Sequence, residues 1–285
     1  MDIKGAFRDL QQKKQAAEKE AKEARAPLFE IVHSLQGSGR FVGMPMTSVK
    51  VVTLATGAGA SGGEGAAPPR QAASVDFGVR RQQEPNPVRA TRAAELVRQV
   101  AAAVMPGVKT PRISLHGEDP LSFPEFVREF GQAAREMGFR LHLETAGQDP
   151  DALAACVNQV DHLTVHYLLG ESSARPLPKT PPRGSGADSG ARSLRSCEIA
   201  LRRGATVDVK IALAPEVSDV RYERALEQLQ ALSGKVLLVL QPVTPFDVGK
   251  RALPVRDLER WVATAARSGF DVRVLPAVHK LLNVR

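Results

Sequence analysis

Four short stretches decide the fold: RISLH (Arg112–His116), FRLHLE (Phe139–Glu144), DHLTVH (Asp161–His166) and VDVKI (Val207–Ile211). Each alternates strictly. Ile113 and Leu115 oppose Arg112, Ser114 and His116; Phe139, Leu141 and Leu143 oppose Arg140, His142 and Glu144. Leu163 and Val165 oppose His162, Thr164 and His166; Val207, Val209 and Ile211 oppose Asp208 and Lys210. Successive side chains point to opposite faces of a strand, so each stretch has one apolar and one polar face. In a parallel sheet covered by helices on both sides, strands are apolar throughout. Here the polar faces must line something wet or occupied. A partial (β/α) barrel with a polar lumen meets that demand, and a doubly wound sheet does not. The function of such barrels sits at the C-terminal strand ends, which here carry His116-Gly117-Glu118, Glu144-Thr145, His166 and Gln241-Pro242.

Outward from these strands the pattern continues. Helical periodicity is expected at 91–105, 122–137 (with Ser122 as N-cap), 149–158, 191–203, 219–232 and 255–268. Further strands are expected at 235–240 and 271–275. Strands alternating with helices mean parallel β/α units, an α/β fold. Residues 28–285 form one barrel domain in this reading. Residues 1–27 form an exposed, Lys/Glu/Gln/Ala-rich helical extension ended by Pro27. Two segments, 57–90 and 168–190, are rich in Gly, Ser, Ala and Pro and read as flexible loops.

Composition narrows the function classes. The chain has 285 residues, of which 43% are hydrophobic, enough for a core of this size. No run approaches the ~18 apolar residues that a membrane helix needs. The first residues, MDIKGAFRDLQQKKQ, lack the apolar stretch of a secretory signal; a cytoplasmic location is expected. Cys156 and Cys197 are the two cysteines, too few for a disulfide scaffold, a four-cysteine zinc site or an all-cysteine iron–sulfur cluster. The net charge of +8 concentrates in residues 70–112 and 175–203, each with an excess of +5. Such stretches attract anions. Without regular aromatic interleaving they do not make a single-strand stacking platform, so nucleic acid is not the expected partner.

Two motifs give weaker signals. Gly57-x-Gly59-x-x-Gly62, with Asp76 further on, has the spacing of a dinucleotide-binding turn. That turn must open a helix whose amides face the pyrophosphate, and the continuation GEGAAPPRQ cannot be a regular helix. His116, His142, His162 and His166 share the lumen face. With Glu144 or Asp208 they offer metal-ligand chemistry, the candidate set being His116, His142 and His166; the alternative is a row of neutral, hydrogen-bonded interior groups. Asp208 and Lys210 share a face at i, i+2 and are read as pairing with neighbours in a polar core, with a general acid–base role for either as the alternative.

An ordered set of motifs carries a resemblance. Glu30-Ile31-x-x-Ser34-Leu35-Gln36-Gly37-x-Gly39-Arg40-Phe41-Val42-Gly43-x-Pro45 resembles the opening of the 7-carboxy-7-deazaguanine synthases, radical S-adenosylmethionine enzymes of queuosine and related deazapurine pathways. Gly117-Glu118-x-Pro120-Leu121 resembles their Gly-Gly-Glu-Pro, and Glu144-Thr145-x-Gly147 their Glu-Thr-Asn-Gly. Gln241-Pro242 and the ending Pro276-x-x-His279-Lys280-Leu281-Leu282-x-Val284-Arg285 also match. The resemblance implies a radical-SAM-like partial barrel, usually a homodimer. It implies a ligand site drawn from Gln36, Gly37, Gly117, Glu118, Glu144, Thr145, Gln241, Pro242, His279 and Lys280.

The departures from the family pattern bear on chemistry. The family's Cys-x3-Cys-x2-Cys, which holds a [4Fe–4S] cluster, aligns with Leu54, Ala58 and Ser61. The Asp-Thr that follows becomes Gly62-Gly63, and the acidic residue of Gln-Gly-Glu-Gly becomes Ser38. His116 replaces the first glycine of Gly-Gly-Glu-Pro, and Asp119 is an extra residue before Pro120. The Ser-Pro-Lys after the fourth strand is replaced by His166-Tyr167-Leu168, and the glutamine before the closing His-Lys pair is replaced near Ala277. The expectation is a cluster-free homologue without radical catalysis and without catalytic residues of that kind. It would be a ligand-binding or regulatory protein for a purine-like or nucleoside molecule, or the support of a partner, with S-adenosylmethionine still admissible without a cluster. The alternatives are an enzyme of deazapurine synthesis, acting alone or as an inactive subunit, and a metal-assisted enzyme with a repurposed pocket.

Overall fold

The computed structural model describes residues 22–52, 72–76, 81–104, 111–169, 186–243 and 253–278; for 72–76, 81–85 and 186–188 only the course of the backbone is described. The strands are β1 (Arg25–Ala26), β2 (Leu28–Leu35), β3 (Pro45–Val51), β4 (Ala72–Asp76), β5 (Arg81–Pro85), β6 (Val88–Arg89), β7 (Arg112–Gly117), β8 (Arg140–Thr145), β9 (His162–Tyr167), β10 (Thr206–Leu213), β11 (Leu237–Pro242) and β12 (Asp271–Val274). The helices are α1 (Ala90–Val104), α2 (Pro124–Glu136), α3 (Pro150–Cys156), α4 (Gly186–Arg202), α5 (Asp219–Leu229) and α6 (Val255–Arg267). Ten strands form one sheet in the order β12-β11-β10-β9-β8-β7-β3-β2-β4-β5. From β12 to β3 every neighbouring pair is parallel; β2 runs antiparallel to β3. This is the expected α/β pattern of parallel β/α units.

The sheet is curled. In sheet order β2 and β10 are five strands apart, about 24 Å along a flat sheet. Five residues beyond the end of β2 reach about 17 Å at most. Yet the Arg40 amide donates to Asp208 of β10 at 3.3 Å, and the Val278 amide beyond β12 donates to the Gly37 carbonyl at 2.9 Å. Only a sheet folded toward itself allows both contacts.

Two packing zones result. The outward faces of the strands and the inner stripes of the helices form the main core. Helix α2 shows why: Phe126, Val127, Phe130, Ala133 and Ala134 fall at helical spacing and are all buried, with Pro124 in the first turn. Val32, Met46, Leu237 and Val239 are buried too, but outside that core, on the concave side. Their register partners Ser48, Ser34, Asp208 and Lys210 face the lumen with them. The inner surface is therefore mixed, polar on β7–β10 and apolar on β11.

Several sequence expectations need correction. The segment 57–90 is not a loop throughout: it contains β4, β5 and β6, and β6 leads directly into α1. Its small polar residues concealed strands because neither half of the β4–β5 pair alternates in hydrophobicity. The segment 168–190 ends earlier than expected, since α4 starts at Gly186. The predicted N-terminal helix does not reach Pro27: Arg25–Ala26 is a strand paired with Val88–Arg89, because a tertiary partner overrides the local propensity. Residues 1–21 lie outside the described residues. Phe123, not Ser122, precedes α2, and Ser122 ends a short 3-10 turn capped by Asp119.

Candidate functional site: a polar barrel interior

The loop between β2 and β3 turns into the curled sheet. Gly39 adopts φ +76°, a left-handed value that favours glycine, and turns the chain inward. The loop and the inward strand residues then form two polar tiers.

The deeper tier is a buried polar cluster. Arg40 donates through Nε and Nη2 to Asp208 Oδ1 at 3.0 and 2.8 Å, and His162 Nε2 meets Oδ2 at 3.1 Å. Asp208 is fully buried. Burial alone would raise its pKa, but the His162 hydrogen bond and the Arg40 guanidinium outweigh it and hold the carboxyl below its ordinary range. The Phe41 ring stands edge-on to His162 and His142, with centroids 4.7 and 5.6 Å away, and the Arg112 guanidinium lies 4.5 Å from its centre. His142 pairs with Thr164 Oγ1 at 2.8 Å. Burial pushes the His142 pKa down to about 3, so its ring is neutral at physiological pH. The Nδ1 atoms of His142 and His162 are buried without a hydrogen-bond partner among the described residues.

The upper tier centres on Glu144. Its Oε1 accepts from Gln36 Nε2 at 2.8 Å and from Ser114 Oγ at 3.2 Å. Its Oε2 meets His166 Nε2 at 2.9 Å and Lys210 Nζ at 3.3 Å. Lys210 also donates to Ser38 Oγ at 3.0 Å. Desolvation opposes ionisation of Glu144, yet Lys210 and the His166 bond prevail, and its pKa lies well below the ordinary value. With both oxygens engaged twice, Glu144 organises the tier rather than offering a free acceptor. Asp208 and Lys210 do not pair with each other; each serves a different tier. The lumen, expected to be wet or occupied, is in part filled by the chain's own loop.

The rim sits above. Gly117 has φ +136°, and a Cβ there would lie 2.0 Å from the Val51 carbonyl oxygen, so β7 and β3 approach as only glycine permits. The Glu118 amide donates to that oxygen at 3.2 Å, and the Glu118 residue is exposed. Thr145 Oγ1 donates to Asp119 Oδ1 at 2.9 Å, tying the extra residue Asp119 to the β8 end. Gln241 and Pro242 are half-buried at the end of β11. His116 Nε2 lies 2.5 Å from Ser48 Oγ.

Of the ten residues expected in a ligand site, the structure joins Gln36 and Glu144 directly and puts Gly117, Glu118 and Thr145 on neighbouring strand ends. His279 and Lys280 lie outside the described residues, as do Leu54, Ala58, Ser61 and the Gly57–Gly62 motif. The three histidines of the alternative metal set, His116, His142 and His166, pair with Ser48, Thr164 and Glu144 respectively. Among the described residues no group of three or more His, Cys, Asp or Glu side chains could hold a metal ion. Sequence reasoning missed Arg40 and Ser38 as interior groups. The Gly37-x-Gly39 turn was the available signal, since it marks where the chain reverses.

A curled parallel β/α sheet with polar groups on its concave side is the partial barrel of the radical S-adenosylmethionine fold. The solved structure of QueE from Escherichia coli superposes with a TM-score of 0.50 over 88% of this chain and 93% of that one, at 15% identity. By sequence the chain is similar to 7-carboxy-7-deazaguanine synthases. It is 25% identical over 268 residues to the 7-carboxy-7-deazaguanine synthase of Methanothermobacter thermautotrophicus, covering 92% of this chain and 98% of that protein. The enzyme of the same name from Methanopyrus kandleri is 28% identical over 279 residues, covering 90% and 93%. That from Geobacter sulfurreducens is 29% identical over 197 residues, covering 69% and 72%. No protein-family model matches the chain.

The cluster of the radical fold does not fit the donors present. Cys156 and Cys197 are buried in α3 and α4. Cys156 Sγ donates to the carbonyls of Ala152 and Leu153, and burial pushes both thiols up to about 12. Two inert thiols in the helical layer cannot replace three thiolates on a loop. Among the described residues no helix is long and apolar enough to cross a membrane.

Proposed function

We propose that this chain is a member of the deazaguanine synthase family that works without radical catalysis, as a binding protein for a purine-like or nucleoside ligand. One observation carries the reading: the thiols needed to hold the cluster are missing, while the interior keeps two polar tiers organised around Asp208 and Glu144. Reductive cleavage of a sulfonium needs an electron donor, and this protein's side chains supply none. What remains is a concave face with apolar residues on β11 and a few placed polar groups, the mixture by which a site orients a small polar heterocycle. Glu144 holds His166, Gln36 and Lys210 in place; His166, a quarter exposed, presents its imidazole toward the open side. The names of the relatives supply the ligand class.

The test has two arms. Iron and sulfide analysis after anaerobic reconstitution is expected to show no stoichiometric cluster; a full [4Fe–4S] complement overturns the cluster-free reading. Calorimetric titration with 7-carboxy-7-deazaguanine and guanosine is expected to show saturable binding to the wild type that His166→Ala weakens at least about tenfold, the scale of one lost hydrogen bond to a charged group. Absence of binding to both compounds overturns the ligand class.

A further inference from the structure

Ser48 and His116 form a contact that the Glu144 network does not use. Ser48 lies on β3 and His116 on β7, both on the concave face. Ser48 pairs in register with Ser114, and Lys50 with His116, so the two side chains meet diagonally across the parallel pair. Ser48 Oγ and His116 Nε2 are 2.5 Å apart. Neighbouring hydroxyls are otherwise engaged: Ser114 with Glu144 at 3.2 Å, Thr47 with His33 at 3.5 Å. The pair is also held rigidly. Gly117, immediately after His116, lets β7 press against the Val51 backbone, which fixes the imidazole relative to β3. Both residues are half-buried, reachable from the rim yet shielded from bulk water.

A hydroxyl within hydrogen-bond reach of an imidazole nitrogen, both positioned by adjacent strands, is the elementary nucleophile–base unit. With the ring proton on Nδ1, the Ser48 hydroxyl donates to His116 Nε2. We infer that Ser48 is a nucleophile, with His116 as its general base, that accepts an acyl group from a carboxylic ester. Ser48 Oγ bonds the acyl carbon while its proton passes to His116 Nε2. The bond from the acyl carbon to the leaving oxygen breaks, and the imidazolium returns the proton to that oxygen, releasing an alcohol. Water then attacks the acyl-serine with His116 again as base, giving a carboxylic acid and free Ser48. Atoms and electrons balance with ester and water alone.

The test uses the full chain and p-nitrophenyl acetate, an activated ester that needs the least stabilisation of the tetrahedral intermediate. Rapid mixing is expected to show an initial release of one equivalent of nitrophenol, and peptide mass mapping to place one acetyl group on Ser48. Ser48→Ala and His116→Gln are each expected to slow acylation by at least about a hundredfold, the usual share of general-base catalysis. Their thermal melts report whether the fold is intact. Acetyl groups found on lysines or the terminal amine with Ser48 unmodified overturn the inference, as does acylation of folded Ser48→Ala at the wild-type rate. Mapping of the wild type decides the matter even where a variant fails to fold.

Discussion

Glu144 is where the interior is most sharply poised. A carboxylate that accepts from four groups is secure, but each donor depends on it. Glu144→Gln removes the charge while keeping the shape, leaving the buried Lys210 ammonium with the neutral Ser38 hydroxyl in place of a carboxylate. Breaking a buried pair on one side leaves an uncompensated charge, which costs about 3–5 kcal/mol. Urea denaturation of Glu144→Gln is expected to show a loss of about 3 kcal/mol. Adding Lys210→Met is expected to restore part of it, because the orphaned charge disappears. His142 makes a second prediction at this scale. Its folded pKa of about 3 lies below its ordinary 6.5, so the unfolded chain binds a proton that the folded chain refuses. Stability therefore falls as pH drops from 6.5 toward 3, by up to about 1.4 kcal/mol per pH unit from this one group. Glu144 and Asp208, both held below their ordinary values, stabilise the fold above the carboxylate range and lose that contribution as pH falls through it. Urea midpoints measured from pH 7 to 4.5 are expected to decline for the wild type and to flatten in His142→Leu above pH 5, where the carboxylates do not yet contribute.

Among the elements, the β3–β7 pair bears the closest tolerance. Gly117→Ala introduces a methyl group 2.0 Å from the Val51 carbonyl oxygen and a side chain at φ +136°. The strands must separate, and overpacking of this kind costs about 1–3 kcal/mol. A lower melting temperature is expected, together with slower acetylation of Ser48, since the same displacement moves His116. A lowered melting temperature with unchanged acetylation would separate the two roles of the glycine. The β2–β3 loop is the other decisive element. It was legible as a turn from its glycines, but its destination was not. Gln36 meets Glu144 across 108 positions of sequence and Arg40 meets Asp208 across 168. No periodicity encodes a pairing at that range. Strands β4 and β5 were illegible for the opposite reason: their residues carry little apolar contrast, so sheet pairing alone defines them.

At the scale of the whole molecule, a partial barrel ordinarily leaves its concave side for cofactor and substrate. Here two ion-pair tiers and a loop occupy much of that side, and the two thiols are sealed in the helical layer. Two cysteines cannot supply the three thiolates of the family's cluster motif, and a shared architecture does not by itself carry its chemistry. The alternation in four strands was enough, from sequence, to establish that one sheet face is apolar and the other polar, because side-chain direction in a strand follows position alone. The cysteine count likewise settled, without coordinates, that three thiolates are not to be had. Which polar groups meet, that β11 turns an apolar face inward, and that the chain fills its own lumen were decided by the curl of the sheet. Curvature is a property of all the strands and helices packed together, and no local stretch of residues contains it.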